Sequence, residues 1–200
     1  MVELYLIDYH KIIKYKEEAL KRLSKDRYEN AIRFKMEEDI LRSIAGSLMM
    51  NKYLDGLDNI NYNSYGKPSK EGYHFNLSHS GDFVLFALAD SEVGADIEVF
   101  KKKNESLENY VLTEDEKIHL EDEFDFYRFW TSKESLMKYL GTGLSNKIKD
   151  IPALPLEGMK KYKEEDLYSI NFDYHNYSIS VTSNRPIEYQ FKEIDIDDLL

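Results

Sequence analysis

DFVLFALADSEVGADIEVF, residues 82–100, is the stretch on which the fold turns. DFVLFALAD reads as a strong strand, and GADIEVF as the next one, joined to it through the polar turn Asp90–Glu92. In a strand, alternate side chains point to opposite faces. Ala95, Ile97 and Val99 therefore go one way, and Asp96 and Glu98 the other. Two like charges about 6 Å apart repel by about 0.7 kcal/mol in water and by about 3 kcal/mol at an effective dielectric of about 20. In the open the pair is a harmless polar strand face. In a cleft it calls for a cation. Carboxylate oxygens with open positions suit Mg2+, which keeps waters and takes phosphates as further ligands.

Outward from this stretch, strands and helices are mixed. VELYLIDY (2–9) alternates and predicts a strand; KYKEEALKRLS (14–24) predicts a short amphipathic helix. Between Met36 and Tyr53, Ile40, Leu41, Ile44, Ala45, Leu48 and Met49 recur at three- and four-residue spacing, one buried helical stripe. Residues 55–73 are rich in turn formers and read mostly as loop, and HFNLSHS (74–80) alternates. In the second half, TEDE (113–116) fits a capping box with Thr113 as N-cap and Glu116 three residues on. FDFYRFWTSKESLMKYLG (124–141) predicts a helix that Gly141 ends, and residues 166–183 predict a final hairpin. Without regular βαβ alternation, the order favours α+β over a doubly wound sheet.

The chain has 200 residues, 42% hydrophobic and 32% charged, enough for one sizeable domain or two small lobes. It has no cysteine, which excludes a disulfide framework, a thiolate metal site and a thiol nucleophile. No apolar run approaches a membrane span, and the N-terminus lacks the layout of a signal peptide; a cytoplasmic location is expected. A net charge of −11 repels nucleic acid and anionic membrane, so neither is expected as a partner. KKK (101–103) is a short basic cluster that also fits a solvated loop.

Three further groups carry chemistry-bearing types. Trp130, Glu134 and Lys138 follow one another at four-residue spacing on one helical stripe. Glu134–Lys138 is either an ordinary exposed ion pair or a third ligand beside a phosphate-facing lysine. NLSHS (76–80) and GKP (66–68) offer Ser78, His79 and Lys67, phosphate-binding types that also suit hydrogen-bonded turns. Arg42 lies on the 36–53 helix, off its apolar stripe, and alone says nothing.

The order of these pieces is more specific than any of them. GKP, FNLSHS, GADIE and FWTSKESLMKYLGTGL resemble, in sequence and in order, the 4′-phosphopantetheinyl transferases of the surfactin-synthetase-activating type. The resemblance covers residues 36–144 strongly and the remainder loosely. It implies a two-lobed α+β fold with pseudo-twofold symmetry, here lobes 1–95 and 96–200, with the site between them. It implies transfer of 4′-phosphopantetheine from coenzyme A to a serine of an apo acyl or peptidyl carrier protein, releasing adenosine 3′,5′-bisphosphate. Asp96, Glu98 and Glu134 match the family's Mg2+ ligands, with Glu134 also its proposed base and Lys138 the group facing the leaving bisphosphate. Arg42, Lys67, Ser78 and His79 match contacts to the nucleotide's phosphates, Lys133 adds charge nearby, and Arg27 is the nearest basic match for the 3′-phosphate. The family places carrier contact just after the active-site helix, here roughly 141–172, with Leu144, Lys147, Ile148 and Lys149 as candidates. A monomer is expected. Two other classes use the same residues: a Mg2+-dependent phosphoesterase, and a non-catalytic protein that binds coenzyme A or a carrier.

Overall fold

Strand β1 (Val2–Asp8) buries Val2, Leu4 and Leu6 on one face, as its alternation requires. It pairs antiparallel with β5 (Phe83–Ala89), which pairs antiparallel with β4 (His74–Ser80). The computed structural model in which these pairings are seen describes residues 1–102, 104–143 and 147–200. A second sheet is antiparallel throughout: β6 (Val93–Val99), then β9 (Tyr177–Ser183), β8 (Glu165–Tyr174) and β7 (Gly158–Tyr162) in spatial order. The sheets pack face to face through Val2, Leu4, Leu6, Leu85 and Ala87 on one side and Ala95, Ile97, Ile179 and Val181 on the other. Asp96 and Glu98 point away from that core because they alternate with it.

Helices cover both outer faces. α1 (Lys16–Lys21), α2 (Lys25–Ile32) and α3 (Glu37–Tyr53) lie in the first half, where α3 buries Leu41, Ile44, Ala45, Leu48 and Met49 on its sheet. α4 (Glu105–Val111), α5 (Glu114–Lys117) and α6 (Asp125–Leu140) lie in the second, with Phe126, Phe129, Leu136 and Met137 buried. The result is α+β in four layers, helices on sheet on sheet on helices. Both halves run in the same order: a strand, short helices, one long helix, then a hairpin whose second strand returns beside the first.

Several elements differ from expectation. α2 is an unforeseen helix: its sequence has only Ala31 and Ile32 as aliphatic residues, and its signal is Ser24, whose side chain caps it by accepting from the Arg27 N–H. The 55–73 loop contains a two-rung hairpin, β2 (Asn61–Tyr62) with β3 (Pro68–Ser69). The Thr113–Glu116 capping box is present, with both reciprocal hydrogen bonds. The expected lobe division at 95/96 falls inside β6. A last strand, β10 (Tyr189–Glu193), leaves the second half and runs parallel to β1 in the first sheet. It pairs an edge of β1 that would otherwise be open. Lys103 of the basic cluster and Leu144 lie outside the described residues. Among the described residues no helix is long and apolar enough to cross a membrane.

Candidate active site

α6 lies close over β6 because small residues meet beneath it. An added Cβ on Gly94 would come within 2.0 Å of the Ser135 carbonyl oxygen and 2.2 Å of the Tyr139 nitrogen. Ser135 also hydrogen-bonds Ser180 and Thr182 of β9. Gly141, at φ 66°, ends the helix in the left-handed conformation that favours glycine. This approach brings the stripe Trp130–Glu134–Lys138 to the carboxylate face of β6.

Asp96 is the buried centre of the cluster, 1% exposed. Its Oδ1 accepts from Ser78 Oγ at 2.7 Å and from the Lys138 ammonium. Its Oδ2, fully buried, has no hydrogen-bond partner among the described residues. Glu98 accepts from Ser80 Oγ at 2.6 Å, and Glu134 from Trp130 Nε1 at 2.6 Å. Burial first, and the Asp96 charge second, push both Glu98 and Glu134 up to about 7, against the Lys138 cation that pulls them down. Three mutually repelling carboxylates around one ammonium leave net negative charge in a cleft.

Among the described residues no three His, Asp or Glu side chains close into a metal cage; Lys138 serves as counter-charge to Asp96. The donor set nevertheless fits a hard divalent cation. All donors are carboxylate oxygens, one is a buried oxygen without a partner, and burial makes their unneutralised charge costly.

A groove runs from this cluster along the first half. Near the cluster, a cavity of about 240 Å³ is lined by Tyr65, Lys67, Leu77, Glu134 and Lys138. It shares Gly66 and Leu77 with one of about 470 Å³ lined by Arg27, Phe34, Arg42 and His79. Lys67 is held by Glu92 and by the Tyr139 carbonyl at 2.9 Å. Arg42 is fixed by Glu38, Asp39 and the Gly81 carbonyl, with its guanidinium 4.8 Å from the Tyr9 ring centroid. Arg27 lies within α2 and bonds Ser47 and Tyr62. His79 is held below its usual value by ring desolvation, then by the Lys138 and Arg42 cations, which keeps it neutral near pH 7.

Two expected phosphate contacts are corrected. Ser78 has one O–H and two lone pairs, and all three are taken: it donates to Asp96 and accepts from Lys138 and the Ile97 N–H. Its hydroxyl serves the carboxylate cluster rather than standing open for a phosphate. Lys133 is completely buried, ion-paired to Glu116 at 2.8 Å and bonded to the Ile148 carbonyl. Neighbours in sequence stand about 100° apart on a helix, so Glu134 faces the cleft and Lys133 the interior. Ile148, expected on the carrier surface, is also buried, packed beside Leu136 and Met137.

Some contributors went unforeseen. Asn63 Oδ1 accepts from the N–H groups of Tyr65 and Lys67, and its Nδ2 donates to the Gly141 carbonyl, tying the lysine loop to the end of α6. Ser80 and Glu92 owe their roles to contacts across strands. Alternation in HFNLSHS does put Asn76, Ser78 and Ser80 on one face, the signal from which Ser80 could have been found.

Residues 92–188 match the family model of the 4′-phosphopantetheinyl transferase superfamily. The 4′-phosphopantetheinyl transferase gsp of Aneurinibacillus migulanus is 32% identical over 136 residues, 61% of this chain and 57% of that protein. The 4′-phosphopantetheinyl transferase AcpT of Salmonella typhi is 36% identical over 110 residues, 49% and 57% of the two. The 4′-phosphopantetheinyl transferase Sfp of Bacillus subtilis (strain 168) is 33% identical over 141 residues, 62% of each. The chain thus spans little more than half the length of these relatives. The matched region contains β6, α6 and the whole carboxylate cluster, and over it the chain is similar to the 4′-phosphopantetheinyl transferase superfamily.

Proposed function

We propose that the protein transfers 4′-phosphopantetheine from coenzyme A to a serine of an apo acyl or peptidyl carrier protein. The observation that carries this reading is the Asp96–Glu98–Glu134 cluster, with its unpartnered Asp96 oxygen, at the head of a groove lined by Lys67, Arg42 and Arg27. The three carboxylates would hold Mg2+, which when bound supplies neutralising charge at the pyrophosphate. Lys67, Arg42, Arg27 and His79 hold and orient the nucleotide's phosphates. Glu134, a carboxylate of the same cluster, is placed to take the serine hydroxyl proton.

A bond forms between the carrier serine oxygen and the β-phosphorus of coenzyme A. The bond from that phosphorus to the oxygen bridging to the α-phosphate breaks. The serine proton passes to Glu134, and adenosine 3′,5′-bisphosphate leaves with its new negative charge beside Lys138. For the carrier we propose the surface over 141–172, where Lys147, Lys149 and Met159 are exposed. The enzyme would act as a monomer, both halves of the site coming from one chain.

The test is the mass of an apo carrier protein after incubation with this protein, coenzyme A and Mg2+. A gain of one phosphopantetheine is the expected result. Nucleotide hydrolysis with an unchanged carrier would support a phosphoesterase instead, and coenzyme A binding without either would reduce the protein to a binding homologue.

A further inference from the structure

The two sheets meet at their edges as well as their faces. Among the described residues, β4 closes one sheet and β6 the other, and each has backbone groups with no strand beyond. A buried edge N–H is costly unless it finds an acceptor. Here side chains supply it. Asn76 Oδ1 accepts from the Ala95 N–H at 3.3 Å, Ser78 Oγ from Ile97 at 3.3 Å and Ser80 Oγ from Val99 at 3.1 Å. Each rung joins residues 19 apart in sequence, so the three form one register. All three side chains are buried.

The two hydroxyl rungs make a second set of bonds. Ser78 donates to Asp96 and Ser80 to Glu98, each 18 residues on. A hydroxyl that accepts from a fixed backbone N–H has its oxygen anchored, and its proton can then aim a carboxylate. One strand of the first sheet thereby sets the direction of both carboxylates on the second.

We propose that Ser80 is a positioning residue for the cation site: anchored by the Val99 N–H, its hydroxyl fixes Glu98 as a ligand, in parallel with Ser78 and Asp96. The inference rests on the proposal above that these carboxylates hold a divalent cation. It adds that the seam between the sheets, rather than β6 alone, defines the ligand geometry. Outer hydrogen bonds of this kind commonly govern metal affinity.

Thr and Val at position 80 differ by a hydroxyl against a methyl at nearly equal shape, so the pair separates hydrogen bonding from packing. The experiment titrates Mn2+ into protein saturated with coenzyme A and reads free Mn2+ by its paramagnetic resonance, without carrier and without turnover. Coenzyme A alone is the control, and thermal melting reports folding. Ser80→Val is expected to weaken Mn2+ binding about 10-fold, while Ser80→Thr binds as wild type does. Equal affinity in wild type and Ser80→Val overturns the proposal, and so does equal loss in Val and Thr, which would assign the effect to packing. A wild type that takes up no more Mn2+ than coenzyme A alone overturns the cation reading itself, a distinct result. If Ser80→Val fails to fold, Ser80→Ala read against Ser80→Thr gives the same decision.

Discussion

At the scale of single residues, burial and the Asp96 charge work against the ionised forms of Glu98 and Glu134. Glu134 carries a carboxyl raised from 4.5 to about 7. A folded-state value above the unfolded one means the native protein binds the extra proton between those limits, so this group's contribution to stability is lost as pH rises from about 4.5 to 7. His79, shifted down, works in the opposite direction near its own range, so wild-type melting alone does not isolate the effect. The comparison with Glu134→Gln does: without Mg2+, the variant is expected to melt above wild type at pH 7.5, and that advantage should shrink toward pH 5. With Mg2+ the same variant should keep binding coenzyme A and lose transfer rate by about 10²–10⁴-fold, the range for a removed general base. Recovery of the rate at high Mg2+ would assign Glu134 to ligation instead. Lys138→Ala should lose about 10²–10³-fold, as for other groups that meet developing charge, and no Mg2+ concentration should restore it if, as proposed, its ammonium meets the leaving group. Steady-state and single-turnover rates across a Mg2+ titration check both variants.

At the scale of elements, the site depends on how closely α6 lies on β6. Gly94→Ala would set a methyl against the helix backbone, which, unlike a side chain, has no rotamer to escape into. The helix must shift, and a displacement of about 1 Å at a catalytic group is enough to cost about 10²-fold in rate. The expected outcome is a folded but slower and less heat-stable protein, measured by melting and by transfer rate. This scale also shows what was legible in the sequence. The long helices and β6 were readable because their apolar periodicity spans many residues. Periodicity put Asp96 and Glu98 on one strand face and Glu134 on one helical stripe, but left each with an ordinary polar reading; only the resemblance to a family joined the three into one expected site. α2 was not, because its evidence is one capping serine. β10 was not, because a short, mostly exposed parallel edge strand is defined by a partner at the opposite end of the chain. Ser78 and Lys133 carry the right chemical types, yet sequence does not show that a hydroxyl's three bonding positions are taken or that a lysine turns inward. Ser80 required the register between two different sheets.

At the scale of the whole molecule, the chain's last segment closes the first sheet. β10 pairs with β1, and beyond it Ile194, Ile196 and Leu199 are buried in the first-half core. Burying three such side chains contributes about 5–9 kcal/mol, as large as the net stability of many domains at about 5–15 kcal/mol. Removal of residues 186–200 is therefore expected to unfold the protein, or to leave a species without a cooperative melt, although no deleted residue lies near the carboxylates. Circular dichroism on heating checks this, and a cooperative melt at the full-length temperature would show the tail to be dispensable. The carboxylates sit where the two halves join, so damage to either should reach them.

The central claim is that one chain couples release of the nucleotide to modification of a carrier at the Asp96–Glu98–Glu134 cluster. The most direct measurement is a single-turnover reaction with coenzyme A, Mg2+ and apo carrier, quantifying adenosine 3′,5′-bisphosphate and modified carrier in the same quenched samples. The account predicts that the two rise together in equal amounts for wild type and that neither forms with Asp96→Ala, which should stay folded because Ala95 and Ile97 on the opposite face are untouched. Bisphosphate released without modified carrier, or wild-type rates from Asp96→Ala, would contradict it.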